Sequence, residues 1–330
     1  MNINYFFLWN YNKFPFVYSL MNDNEVNILV INIHDSPDLK FKLSKLKSLE
    51  KITTVKLVKN NIIDYVYNLA FRIFVYPFKK KNNSISFYLD GFSGYYPFYI
   101  ANHGRPDNVY FYEEGESIYK NDVLFSEFKV KGIKSYINVM LKKILCIKKN
   151  SIYDVNIFYV RDRIRFVEFL KSRGDCYYQF DIIEINEVKC IKKISQSDNL
   201  LLKEIFFSNI DERLQKMSIE PNKAIVLTQP IYIDNPYTKD ESIKLFNYWI
   251  EKLIRDGCRV YIKLHPKEVD DEYLRVGIER LGGQFPFELL ALYDIEFDKG
   301  LTYNSTAVNS TLIKERILIK DELKKNSLFF

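Results

Sequence analysis

Short β-rich runs, each of strand length, recur along this chain and are separated by longer stretches with helical spacing. Asn27 to Ile33, Thr53 to Val58, Ser84 to Leu89, Asn108 to Tyr112, Ala224 to Thr228 and Arg259 to Leu264 are the clearest. Several of them are apolar at consecutive positions, so both faces need cover. That is the demand of a parallel sheet flanked by helices, whereas an antiparallel sheet with one wet face alternates apolar and polar residues. Strands alternating with helices predict βα units and an α/β fold.

The helical stretches support the same reading. Ile62 to Phe74 carries its bulky residues at helical spacing, and Asn199 to Met217 reads as one amphipathic helix, with Pro221-Asn222 as a break after it. Thr238 with Glu241 three residues on is a capping box, and the helix it opens should run to about Arg255, where Asp256-Gly257 ends it. The segment from Ser126 to Cys190 mixes lysine-rich helical patterns with β-like pieces such as Val155 to Val160. A chain of 330 residues exceeds the usual size of one core, so two domains are expected, residues 1–198 and 199–330. No internal repeat is visible in the sequence.

Composition excludes more than it selects. The formal charge of +6 is a mild excess on this length, compatible with anionic substrates or a peripheral membrane contact and too weak for a nucleic-acid partner. Lys79-Lys80-Lys81, Lys142-Lys143 and Lys148-Lys149 read as solvated loop and helix ends. Four cysteines without a CxxC pair and three histidines give no zinc pattern and suit reduced thiols. The apolar run Tyr5 to Trp9 is shorter than a membrane span and lacks the features of a signal peptide, so a cytoplasmic location is expected. The 25 tyrosines and 26 phenylalanines accompany abundant Asn, Lys and Ile, a bias that an AT-rich genome produces by itself.

Ligands of open parallel sheets sit beyond the carboxyl ends of the strands. Four polar motifs fall at such ends: Glu113-Glu114-Gly115, Asp234 in the loop after Thr228-Gln229-Pro230, His265-Pro266, and Asn304-Ser305-Thr306. His265 closes an apolar strand and stands between Lys263 and Lys267, a cationic setting fit for a phosphate. Ser305-Thr306 reads as the start of a helix, where a cap and exposed N–H groups for an anion coexist; Ser310-Thr311 lies too deep in that helix to share the role. Adjacent residues on an extended backbone point to opposite faces, so one of Glu113 and Glu114 is expected to face the ligand, and Glu114 beside the glycine is preferred. Asp234 reads equally as an Asx-turn residue before Pro236 or as a catalytic base. Asp90-Gly91 and His103-Gly104-Arg105-Pro106 read as a turn and a loop, and His34-Asp35 also ends a strand but nothing else converges on it.

Transfer of a sugar from a phosphate leaving group needs a base for the acceptor hydroxyl and a donor for the departing phosphate. A carboxylate and a histidine suit these tasks. No Asp-x-Asp pair occurs in the sequence, which favours a site without metal.

Together these residues resemble the bacterial sialyltransferases, in particular glycosyltransferase family 52, whose members act on lipooligosaccharide and capsule; related motifs occur in bacterial polysialyltransferases. The acidic-acidic-glycine motif is matched by Glu113-Glu114-Gly115, the His-Pro motif by His265-Pro266, and the Ser/Thr pair by Ser305-Thr306. Leu227-Thr228-Gln229-Pro230 and Pro286-Phe287-Glu288 look like that family as well. The matches are short and span Ser84 to Val308; Met1 to Asn10 has no counterpart in them.

The resemblance implies a GT-B fold, two Rossmann-like domains whose parallel sheets face an interdomain cleft. It implies an inverting transfer from CMP-sialic acid to a terminal galactose-type acceptor, with no metal and no cofactor. The C-terminal domain would hold CMP, with His265 and Ser305-Thr306 at the phosphate and Pro286-Phe287-Glu288 near the ribose. His265 would serve the leaving group, and Asp234 or Glu114 would be the base. Gln229, Lys263 and Asn304 join Glu113, Gly115 and Pro266 as expected substrate-binding positions. A homodimer and a contact with the inner membrane are left open. So are another nucleotide sugar on the same scaffold, and a non-catalytic binding protein, against which the presence of Glu114, Asp234 and His265 counts.

Overall fold

The computed structural model describes residues 2–8, 13–32, 42–58, 83–89, 107–113, 156–172, 180–233, 237–265, 268, 273, 276–282 and 285–325. The chain divides into two compact units, Met1–Glu187 and Val188–Phe330. In the first, a seven-stranded sheet is built from β1 (Asn2–Leu8), β2 (Val26–Asn32), β3 (Thr54–Val58), β4 (Ser84–Leu89), β5 (Asn108–Tyr112), β6 (Ile157–Val160) and β7 (Asp181–Glu184). In the second, five strands follow: β8 (Lys223–Leu227), β9 (Arg259–Lys263), β10 (Ile278–Arg280), β11 (Phe297–Thr302) and β12 (Ile313–Leu318). Pairing is parallel throughout both sheets, as the doubly apolar strands require.

The sheet orders are β3-β2-β1-β4-β5-β6-β7 and β10-β9-β8-β11-β12. Each runs outward from its first strand in one direction and then in the other, the doubly wound order of a Rossmann-like sheet. The direction reverses between β1 and β4 in the first unit and between β8 and β11 in the second. The crevice outside the strand ends at such a reversal is where open α/β sheets bind ligands.

In the first unit, Phe7, Val30, Ile85, Phe87, Leu89, Phe111, Phe158 and Val160 line one face and pack on Phe166 and Leu170 of the helix Arg163–Ser172. Aromatic rings pack against one another across this sheet: Phe6 stacks on the half-buried Tyr88, Tyr88 lies beside Tyr110, and Phe111 stacks on Phe158 in the core. β1, which the sequence reading left unassigned, is paired on both sides, to β2 and β4.

In the second unit, Ala224 and Val226 of β8, Val260 and Ile262 of β9 and Leu301 of β11 share a face. The helix Lys239–Arg255 covers it with Phe246, Trp249, Ile250 and Leu253. Its expected capping box is present: Thr238 Oγ1 accepts from the Glu241 N–H at 3.2 Å, and Glu241 Oε2 accepts from the Thr238 N–H at 2.7 Å. The helix ends as expected at Asp256, followed by Gly257 at φ +78°.

Two expectations change, and one strand is new. The single helix expected over Asn199 to Met217 is two, Gln196–Phe207 and Asp211–Ser218, because Ser208 to Ile210 forms a turn at the buried Phe207. After Ser305 the chain makes a four-residue 3₁₀ turn, Thr306–Asn309, in place of a helix, since β12 begins at Ile313. β12 was itself unforeseen: it is an edge strand whose Lys314, Glu315 and Arg316 are exposed. Among the described residues, no helix is long and apolar enough to cross a membrane. The helix expected over Ile62 to Phe74, the turn at Asp90-Gly91, the loop at His103 and the strand end at His34-Asp35 lie outside the described residues.

Candidate active site

The carboxyl ends of β8, β9 and β11 are adjacent in the second sheet and carry most of the polar residues singled out in its sequence. β8 is central, and its two following residues reach opposite ways. Thr228 turns toward β9: its N–H donates to the Lys263 carbonyl at 3.2 Å, and its hydroxyl accepts from the His265 N–H at 3.0 Å. Gln229 turns toward β11: its Oε1 accepts from the Asn304 N–H at 2.7 Å and from the Thr302 hydroxyl at 3.2 Å. Thr302 is buried, lies 2.9 Å from the Leu227 carbonyl and accepts from the Ser305 N–H at 3.3 Å. The two side chains after β8 thus tie the His265 loop on one side, through Thr228, and the Ser305 loop on the other, through Gln229.

His265, Gln229, Asn304 and Ser305 are half-buried at the strand ends. The Asn304 N–H is an unambiguous donor, which assigns oxygen to the Gln229 atom facing it and leaves the amide nitrogen directed elsewhere. Ser305 caps its turn by accepting from the Ala307 N–H at 3.3 Å. A four-residue 3₁₀ turn has no developed macrodipole, so anion affinity here must come from side chains and single N–H groups.

Lys263 is the buried cation of this end. Its side chain lies on the face opposite Val260 and Ile262, with Nζ 4.8 Å from the centre of the Phe285 ring. Burial pushes its ammonium down to about 8, against the opposing pull of Glu288. Pro286 precedes the 3₁₀ turn Phe287–Tyr293, and that turn is buried throughout. Phe287 stacks on Phe297 with centroids 6.0 Å apart, while Phe285 packs edge-on against Phe207 at 4.9 Å. A largely apolar wall therefore holds one Lys/Glu pair, an arrangement in which charge acts strongly because little water screens it.

Glu268 was not singled out in the sequence, yet it organises the His265 loop. Its Oε2 accepts from the His265 N–H at 3.1 Å and from the Thr228 hydroxyl, its Oε1 accepts from the Tyr273 hydroxyl, and its own N–H donates to the His265 carbonyl at 2.9 Å. A glutamate three residues after a histidine, in Pro-Lys-Glu, looks like loop surface until the fold brings Thr228 and Tyr273 to it.

No protein-family model matches the sequence, and no curated protein aligns with it significantly. Solved structures do share its fold. A sialyltransferase of Photobacterium damselae, residues 113–497 corresponding to its GT-B domain, superposes with a TM-score of 0.59 at 13% identity, over 96% of this chain and 89% of that one. The chain has the GT-B fold. A 2,6-sialyltransferase of Vibrionaceae Photobacterium sp. JT-ISH-224, in ternary complex with CMP and lactose, gives 0.58 at 14% identity over 96% and 71%. UDP-GlcNAc 2-epimerase of Neisseria meningitidis, bound to UDP-GlcNAc, gives 0.54 at 12% identity over 98% and 85%.

Within the GT-B fold, the second unit brings together Gln229, Lys263, His265, Asn304 and Ser305 at neighbouring strand ends, with Pro286, Phe287 and Glu288 in the adjoining turn. The backbone of Thr306 begins the 3₁₀ turn beside them. In the first unit Glu113 follows β5 and is buried; its N–H donates to the Tyr159 carbonyl and its Oε2 accepts from the Arg161 N–H, both at 2.9 Å. Glu114, Gly115, Asp234 and Pro266 lie outside the described residues. Among the described residues, no three His, Cys, Asp or Glu side chains gather as a metal-binding group.

Proposed function

We propose that the chain is a metal-independent inverting sialyltransferase, moving sialic acid from CMP-sialic acid to a terminal galactose-type acceptor of a bacterial surface glycan, lipooligosaccharide or capsule. The observation that carries the reading is a row of three strand ends in a GT-B unit: Gln229 and Ser305 follow β8 and β11, which border the strand-order reversal, and His265 follows β9, the next strand beside β8. Two structural neighbours with this fold are sialyltransferases, one crystallised with CMP and lactose, which supports a nucleotide and a glycan as partners. In this reading residues 199–330 bind the nucleotide sugar and residues 1–198 serve the acceptor, in the cytoplasm.

The chemistry assigns each group a task. The acceptor oxygen attacks the anomeric carbon of the sialyl residue as its bond to the phosphate oxygen breaks, inverting that centre. The hydroxyl proton passes to a carboxylate, Asp234 or Glu114. The negative charge left on CMP phosphate is met by a hydrogen bond from the His265 imidazole, by Ser305-Thr306 and by the Lys263 charge. Glu288, with Pro286 and Phe287, faces the ribose; Glu113, Gly115, Gln229, Asn304 and Pro266 complete the binding surface. His265→Ala should lower donor hydrolysis by about 10²-fold or more with folding intact, a size typical of a lost general acid. Activity equal to wild type would show the imidazole to be structural. Asp234→Ala and Glu114→Ala, compared as folded proteins, would then identify the base.

A second reading keeps the scaffold and changes the donor. The likeness to an epimerase bound to UDP-GlcNAc favours it, because the same fold there accommodates a uridine nucleotide. Turnover of a UDP-sugar in preference to CMP-sialic acid would select it.

A further inference from the structure

We infer that Glu268 is a positioning residue for His265, holding that histidine's backbone from both sides so that its imidazole is presented in one orientation; this rests on the reading of His265 as the group that serves the leaving phosphate. Both polar backbone groups of His265 are bound by Glu268, the N–H by its carboxylate at 3.1 Å and the carbonyl by its N–H at 2.9 Å. An N–H that donates to the carbonyl three residues before it is the closing bond of a tight turn. The carboxylate is tied in turn to two buried hydroxyls. Thr228 belongs to the end of β8, and Tyr273 belongs to the core, edge-on against Phe246 with centroids 5.7 Å apart. The loop is therefore fastened to the sheet and to the helix layer through one side chain.

The chemistry of the choice is informative. A carboxylate three residues from a histidine opposes an anion bound at that histidine, so an electrostatically optimised anion site would omit it. Three donors converge on Glu268, and a carboxylate can accept from all of them while a neutral, shorter or apolar side chain cannot. Three charge-assisted bonds also spread its charge. What the carboxylate supplies is a fixed direction for the bond from the His265 backbone to its ring, and misplacement by about 1 Å is enough to cost on the order of 10²-fold in rate.

The test is a double-mutant cycle on donor hydrolysis, using CMP-sialic acid or, if the wild type prefers it, UDP-GlcNAc. Glu268→Ala should lower kcat by about 10- to 100-fold and leave KM within about threefold, and Glu268→Gln should recover part of the loss, because its amide oxygen still accepts from Thr228 and His265. In a His265→Ala background, Glu268→Ala should change kcat by less than about twofold, since its effect passes through the histidine. Equal losses in both backgrounds would overturn the inference. Amide exchange gives a second readout independent of turnover. Protection of the His265 N–H should fall at least about tenfold in Glu268→Ala while Val260 and Ile262 stay protected, and unchanged protection would also overturn it. If Glu268→Ala does not fold, Glu268→Gln and Tyr273→Phe carry the same cycle. A wild type that hydrolyses neither donor would refute the proposed function and leave the exchange measurement to decide what Glu268 holds.

Discussion

Lys263 gives the second unit a pH signature that can be measured before any substrate is known. Burial holds its ammonium at about 8, against 10.5 for an exposed lysine, despite the nearby Glu288. The folded pKa is therefore below the unfolded one. Below pH 8 both states are protonated and the fold bears the whole cost of the buried charge. Between 8 and 10.5 the unfolded chain keeps a proton that the folded chain has lost, so stability rises with pH. The difference between those two values, at about 1.4 kcal/mol per pH unit, corresponds to roughly 3 kcal/mol in all.

The slope within the window should be about 1 kcal/mol per pH unit. The comparison is wild type against Lys263→Met, which keeps an unbranched side chain one atom shorter and removes the charge. Urea unfolding at pH 8.0, 8.5, 9.0 and 9.5 can be followed by fluorescence of Trp249, in the core of the second unit, with Trp9 replaced by Phe in both proteins. Tyr261, Tyr273 and Tyr293, pushed upward by burial and by hydrogen bonds to carboxylates, oppose the trend only near pH 10 and above and are common to both proteins. Wild type should gain about 1 kcal/mol or more on the methionine variant between pH 8.0 and 9.5. Parallel pH profiles would mean that the Lys263 charge is not buried as described.

Two predictions concern stability elsewhere in this unit. Thr238→Ala removes the hydroxyl that caps the helix Lys239–Arg255 and should cost about 1 kcal/mol, seen as a lower urea midpoint with unchanged slope. Gly300 needs no unusual backbone angle, but a Cβ there would meet Ile313 at 2.6 Å. Gly300→Val should therefore destabilise by about 1–3 kcal/mol, and Ile313→Ala added to it should recover part of the loss; a neutral Gly300→Val would show that β12 can move aside.

The strands that shape the candidate site were legible because burial on both faces leaves an unbroken apolar run. Ala224 to Leu227 and Val260 to Ile262 are buried residue after residue. The helix after Thr238 was legible from its cap. β12 was hidden by Lys314, Glu315 and Arg316, which an edge strand can leave in water. β1 looked only like a short hydrophobic end, and its central place depends on partners at Val26 and Ser84, far along the chain.

The strand-end positions of His265, Gln229 and Asn304 in the candidate site were legible, because each lies two residues past an apolar strand. Ser305 caps its turn as expected, but the turn is 3₁₀ and not the start of a helix. Glu268 was illegible because its significance lies in contacts with Thr228, 40 positions away, and with a tyrosine that local pattern did not mark as core. Tertiary hydrogen bonds of this kind have no local periodicity to reveal them.

The most direct test of the central claim is donor hydrolysis by the purified chain, in the presence of EDTA, across CMP-sialic acid, UDP-GlcNAc, UDP-galactose and a GDP-sugar. Release of CMP from CMP-sialic acid, well above release of nucleotide from the others and undiminished by EDTA, is the predicted result. Preference for a UDP- or GDP-sugar, or no hydrolysis of any donor, would contradict it.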